Sequence, residues 1–103
     1  ALSDLDKAIE IKPDYALALR YRGNTRYNMG EYDAAIEDLD AALKLDPKHK
    51  GAHEYIGEAY LMDKKPAEAE KHLAELEKLC GNKTCEEYAD LAKALSDYKA
   101  KNP

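Results

Sequence analysis

Three histidines, two cysteines and a surplus of carboxylates are the residues of this 103-residue chain that could carry chemistry. His49 and His53, in HKGAHE, stand at i and i+4, a spacing that sets two imidazoles on one helix face as a metal site can use. The zinc-hydrolase pattern is HExxH, and in HEYIG its second histidine is replaced by Gly57. No third or fourth ligand is evident. His53 is therefore read as a packing residue, His49 as a solvated linker residue, and His72 as an isolated surface or packing residue. No metal is expected.

The carboxylates fall in EDLD, AEAEKHLAELEK and TCEEYAD and read as solvated helix faces. Glu70 and Glu75 have no base four residues on, so charge pairing along the helices does not look systematic. No nucleophile–base set and no phosphate-cradling glycine loop is present. The chain is expected to be no enzyme and to need no cofactor. Cys80 and Cys85 bracket GNKT and meet at one short turn. That spacing predicts a disulfide if the α-carbons approach to about 4.4–6.8 Å. Two reduced, buried thiols, or a reactive Cys85 near a helix N-terminus, are the alternatives. A bond would favour an oxidising compartment such as a bacterial periplasm, and free thiols the cytoplasm. NKT also matches a glycosylation sequon, but Thr84 has sufficient reason to exist as a helix cap.

Composition narrows the partners. The net charge is −5, and no basic stripe suits nucleic acid. The longest uncharged stretch, YALAL from Tyr15 to Leu19, is far too short to span a membrane. The chain opens on ALSDLDKAIEIKP without Met, so it is expected to derive from something longer. Abundant Ala, Leu, Glu, Asp and Lys, with no Phe or Trp, favour helix.

The elements that position these residues come from a repeat. Pro13 and Pro47 are 34 residues apart, and another 34 leads to Gly81. Gly23 and Gly57 share that spacing, as do Ala35 and Ala69. A glycine inside a helix costs roughly 1 kcal/mol against alanine, so Gly23 and Gly57 mark places where helices approach closely. Asp46-Pro47 ends a helix. NMGEYD makes a turn with Gly30 as its C-terminal cap, and DKKPAEAE does the same work later, with Pro66 in the next first turn. Tyr88, Leu91, Ala92, Leu95 and Tyr98 line one face of a last helix, opened by a capping box from Thr84 to Glu87. Six helices are expected, beginning near residues 2, 14, 32, 48, 66 and 85.

In these columns the sequence resembles the tetratricopeptide repeat family. The first repeat matches at Leu19, Gly23, Gly30, Tyr32, Ala35, Leu39, Ala42 and Pro47, the second at Ile56, Gly57, Ala59, Tyr60, Ala69 and Leu73. The resemblance implies an all-α, right-handed α-solenoid of antiparallel helix pairs in one domain. Its parts would be residues 1–13 as the second helix of a truncated repeat, repeats at 14–47 and 48–81, and a capping helix at 84–101. The family's bulky column holds Leu19 and His53, Arg22 and Arg26 fall in columns usually apolar or aromatic, and Gly81 replaces the closing proline. Leu2, Leu5 and Ile9 would lack a preceding helix, which predicts a dimer-prone end.

The family lines a concave groove with the first helix of each repeat, which implies a non-catalytic scaffold binding a protein or peptide. The implied partner-binding residues are Arg20, Tyr21, Asn24, Tyr27, Asn28, Glu54, Tyr55, Glu58 and Met62, with Leu17, Gly51 and Leu61 beside them. Tyr32, Tyr60 and Tyr88 are expected to pack internally. Arg20 and Asn24 resemble half of a carboxylate clamp, but Tyr55 stands where its next Asn would be, and Glu54 and Glu58 would repel an acidic tail. A groove basic in one repeat and acidic in the next suits a segment with both charges. Homotypic assembly through the first helix, and a redox-responsive module at Cys80 and Cys85, are the alternative functions.

Overall fold

The computed structural model describes residues 2–12, 16–81 and 85–102. Pro13 and Thr84, invoked above as helix punctuation, lie outside the described residues. Within these, six helices and no strand are present: α1 (Leu2–Ile11), α2 (Ala16–Asn28), α3 (Tyr32–Leu45), α4 (Lys50–Met62), α5 (Pro66–Cys80) and α6 (Glu86–Lys101).

Local sequence explains these limits. Ala35, Leu39, Ala42 and Leu43 recur at helical spacing and are buried along one stripe of α3. Gly30, with φ +82°, closes the turn after α2 in the left-handed region open to glycine. Pro66 occupies the first turn of α5, where its missing N–H costs nothing. His49 is not merely a solvated linker residue. It is the N-cap of α4, its Nδ1 accepting from the Ala52 N–H at 3.3 Å.

Each helix packs on the next in sequence, and α2 also touches α4, as α4 touches α6. No odd-numbered helix touches another among the described residues. The even helices therefore occupy the tighter side of an all-α solenoid. Two apolar clusters fill it. Leu19, Leu39, Ala42, Leu43, Ala52 and Ile56 form the first, and Leu61, Ala69, Leu76, Leu91 and Leu95 the second, with Tyr60 packed against both. Helix α6 covers α4 and α5 with Leu91 and Leu95. Gly23 and Gly57 make the close approaches expected of them. A Cβ at Gly23 would lie 2.7 Å from Leu39 Cγ, and one at Gly57 2.6 Å from Leu91 Cδ2.

Arg22 and Arg26 fall in columns expected to be apolar because they meet a buried anion. Arg22 grips Asp38 through two bonds, Nε to Oδ2 at 2.8 Å and Nη2 to Oδ1 at 2.7 Å. Arg26 adds Nη1 to Oδ2 at 3.0 Å, and Arg22 reaches Asp6 of α1 at 3.0 Å. Asp38 is only 4% exposed, so these contacts compensate its desolvation and tie α1, α2 and α3 together. The Arg22 guanidinium is correspondingly held above its usual range by Asp38.

Charge pairing is more systematic than the i+4 spacing implied. Glu70 meets Lys99 across α5 and α6 at 2.6 Å, and Glu75 meets Lys78 three residues on at 3.6 Å. His72 is not isolated either. Its Nδ1 lies 2.9 Å from His53 Nδ1, and its ring stacks on Tyr60. His53 Nε2 sits 2.7 Å from the Pro47 carbonyl, which only accepts. A neutral His53 therefore donates from Nε2 and accepts at Nδ1 from His72. Burial, then repulsion from His53, pushes the His72 imidazole down to about 4.

Candidate functional site

The even helices present most of the residues expected to bind a partner. On α2, Arg20 lies flat against α4 because Gly51 has no side chain. A Cβ there would stand 2.8 Å from its Nη2. The guanidinium carbon sits 4.8 Å from the Tyr21 ring centroid and 5.5 Å from that of Tyr55, within cation–π range of both. Tyr27 contacts Tyr32 edge-on at 5.6 Å and lies 6.5 Å from Tyr55. Arg20, Tyr21, Tyr55 and Tyr27 thus form one continuous patch spanning α2 and α4.

Within that patch, Arg20 Nε and Asn24 Oδ1 are buried atoms without a hydrogen-bond partner among the described residues. Such groups are costly unless something meets them. Tyr21 is 44% exposed and available. Asn28 is exposed at the end of α2 and lines no cleft.

Further along, Tyr27, Glu58, Leu61 and Met62 meet α6 residues Ala94, Asp97, Tyr98 and Lys101, and Asn102 just beyond them, around a cleft of about 190 Å³. Glu54 and Glu58 sit one turn apart on α4, close enough for each to act on the other's ionisation. Burial first, then Glu58 and the charges of Asp90 and Glu87, push Glu54 up to about 8. Burial and Asp90 raise Glu58 too. Tyr27 is raised by burial and by Glu58. The acidic half of the face is therefore built from α4 and α6 together.

The contribution of α6 was missed in the sequence. Tyr98 was read only as part of the apolar stripe that caps the solenoid, although the last helix also occupies an even-numbered place. Tyr32, Tyr60 and Tyr88 are half-buried, against Tyr27, His72 and the second apolar cluster respectively.

Cys80 and Cys85 are disulfide-bonded, with α-carbons 6.0 Å apart. Their sulfurs and Glu87 form the only three-residue group of potential metal ligands among the described residues, and the bond removes the thiolates. No described helix is long and apolar enough to cross a membrane.

A family model for the tetratricopeptide repeat matches residues 20–82. The chain belongs to the tetratricopeptide repeat family. Such repeats generally mediate protein–protein interaction and are generally non-catalytic scaffolds. The chain is similar to a TPR repeat-containing protein of Rhizobium etli, 40% identical over 52 residues, half of this chain and 26% of that protein. It is also similar to the protein STIP1 homolog of Dictyostelium discoideum, 34% identical over 59 residues, 57% of this chain and 10% of that protein. An FK506-binding protein-like protein of Rattus norvegicus is 33% identical over 64 residues, 62% of this chain and 18% of its own length. The matched repeats thus span about a quarter or less of these relatives.

Proposed function

We propose that the face formed by α2, α4 and α6 binds an extended segment of another protein and holds it in place without chemistry. The observation that carries this reading is the pair of orphaned buried groups, Arg20 Nε and Asn24 Oδ1, on one face of α2. One wants an acceptor and the other a donor. A peptide backbone offers both, in its C=O and N–H groups. The surrounding tyrosines supply contact area at low entropic cost, each with a hydroxyl to spare.

The test is capture from the cell extract of the parent organism by the native chain and by an Arg20→Glu/Tyr55→Ala variant, read by mass spectrometry. A partner retained by the first and lost from the second supports the groove. The same partners on both would sink it.

A second reading is favoured by the first helix. Among the described residues helix α1 packs only on α2, and Ile11 is 76% exposed. Assembly of two copies through α1 would cover that surface. It predicts a concentration-dependent dimer in sedimentation, lost in Leu5→Lys.

A further inference from the structure

We propose that the cleft between α2, α4 and α6 receives a lysine or arginine side chain of the bound segment. Its aliphatic stem lies along Tyr27, Leu61, Met62 and Tyr98, and its cation sits on Glu58, which lines the cleft, on the side of Glu54 one turn earlier on α4. The inference rests on the groove reading above and states what that groove selects.

Size comes first. At about 190 Å³ the cleft is smaller than the roughly 300–1,000 Å³ of a small-molecule site and suits a single side chain. Its walls are mostly aromatic or aliphatic, which accommodates the stem of a long basic residue. Two tyrosine rings can also face a cation.

Charge chooses among side chains. Neither Glu54 nor Glu58 is paired with a cation among the described residues. The charged and titratable groups around them are Glu87 and Asp90 of α6 and Tyr27 of α2, with Asp97 and Lys101 lining the same cleft. Helices α3 and α5 contribute none of the charges acting on the pair. Lys101 is the one basic lining residue, and it is exposed in the last turn of α6. An acidic occupant would be repelled. An apolar one would leave half-buried carboxylates with no counter-charge.

A bare metal ion fits less well than an organic cation, because no three carboxylate oxygens of this set converge within 4.8 Å. Glu54, beside Glu58, is pushed up to about 8, so a cation seated there releases its proton to solvent and affinity rises as pH rises through about 8.

The experiment selects random twelve-residue peptides displayed on phage against the whole chain, then measures synthetic copies of the enriched sequences by calorimetry. The expected result is a recurrent Lys or Arg whose replacement by Gln weakens binding at least ten-fold. That preference should vanish with Glu54→Gln/Glu58→Gln, whose near-isosteric side chains keep the fold, as checked by circular dichroism. Binding should be roughly ten-fold tighter at pH 9 than at pH 7, because Glu54, at about 8, must lose its proton to hold the cation. Peptides lost on Arg20→Glu/Tyr55→Ala but showing no basic preference would overturn this inference and leave the groove standing. Peptides indifferent to both double variants, or no enrichment over an unrelated surface, would count against groove and inference alike.

Discussion

The molecule holds two clusters of charge, and they are resolved in opposite ways. At the start of the solenoid, Asp38 is nearly inaccessible, yet two arginines meet it with three hydrogen bonds. Further on, Glu54 and Glu58 are less buried, have Asp90 and Glu87 as neighbours, and pair with no cation among the described residues. The first cluster spends its charge inside the fold and joins three helices. The second keeps like charges together on the face open to partners, at the expense of stability. The contrast separates charge that builds the scaffold from charge left for the recognition proposed above.

The strongest way to break this contrast is Asp38→Ala. It strands Arg22 and Arg26 without their anion and should cost about 3–5 kcal/mol, read by urea denaturation. A loss under 1 kcal/mol would mean that the buried network is not structural.

The histidine pair predicts an acid limb. His72 titrates near 6.5 when unfolded and at about 4 when folded, so the unfolded state takes the proton first. Its contribution is intact above pH 6.5 and declines as pH falls through 4. After allowance for the water that still reaches the ring, about 1 kcal/mol should be lost by pH 5. His72→Gln should flatten that limb in thermal melts across pH.

The acidic pair runs the other way. Glu54 ionises near 4.5 when unfolded and about 8 when folded, so its contribution is intact below pH 4.5 and declines as pH rises through 8. Glu54→Gln should therefore stabilise the protein at pH 8, by up to about 1 kcal/mol after solvent screening. Destabilisation there would place the pair with Asp38, as structural charge. The smallest effect belongs to Lys93→Ala at the exposed Lys93–Asp97 pair, expected to change stability by about 0.5 kcal/mol or less.

The architecture was legible because a 34-residue period repeats proline, glycine and alanine together, and each has a local backbone or packing reason. The Cys80–Cys85 bond was legible because only one short turn separates the residues. Long-range partners were not. Arg22 finds Asp38 sixteen residues away, and His53 finds His72 nineteen away. Local periodicity places each on a face but does not say which neighbour that face will meet. Arg22 and Arg26 in columns usually apolar were the available signal that a buried anion lay opposite. The proposed groove follows on α2 and α4 from the family resemblance. Its third wall was obscured because Tyr98 shares the apolar stripe that anchors α6, so packing explained it before recognition could.

Helix α4 touches four of the other five helices, whereas α1 touches one. Opening α1 breaks a single interface, while opening α4 breaks four of the seven among the described residues. Backbone amides should therefore exchange with deuterium in a gradient, fastest in α1 and slowest in α4 at Ile56 and its neighbours. The helix that carries Glu54, Tyr55 and Glu58 is then the last to open, and the proposed groove keeps its shape through fluctuations that open α1.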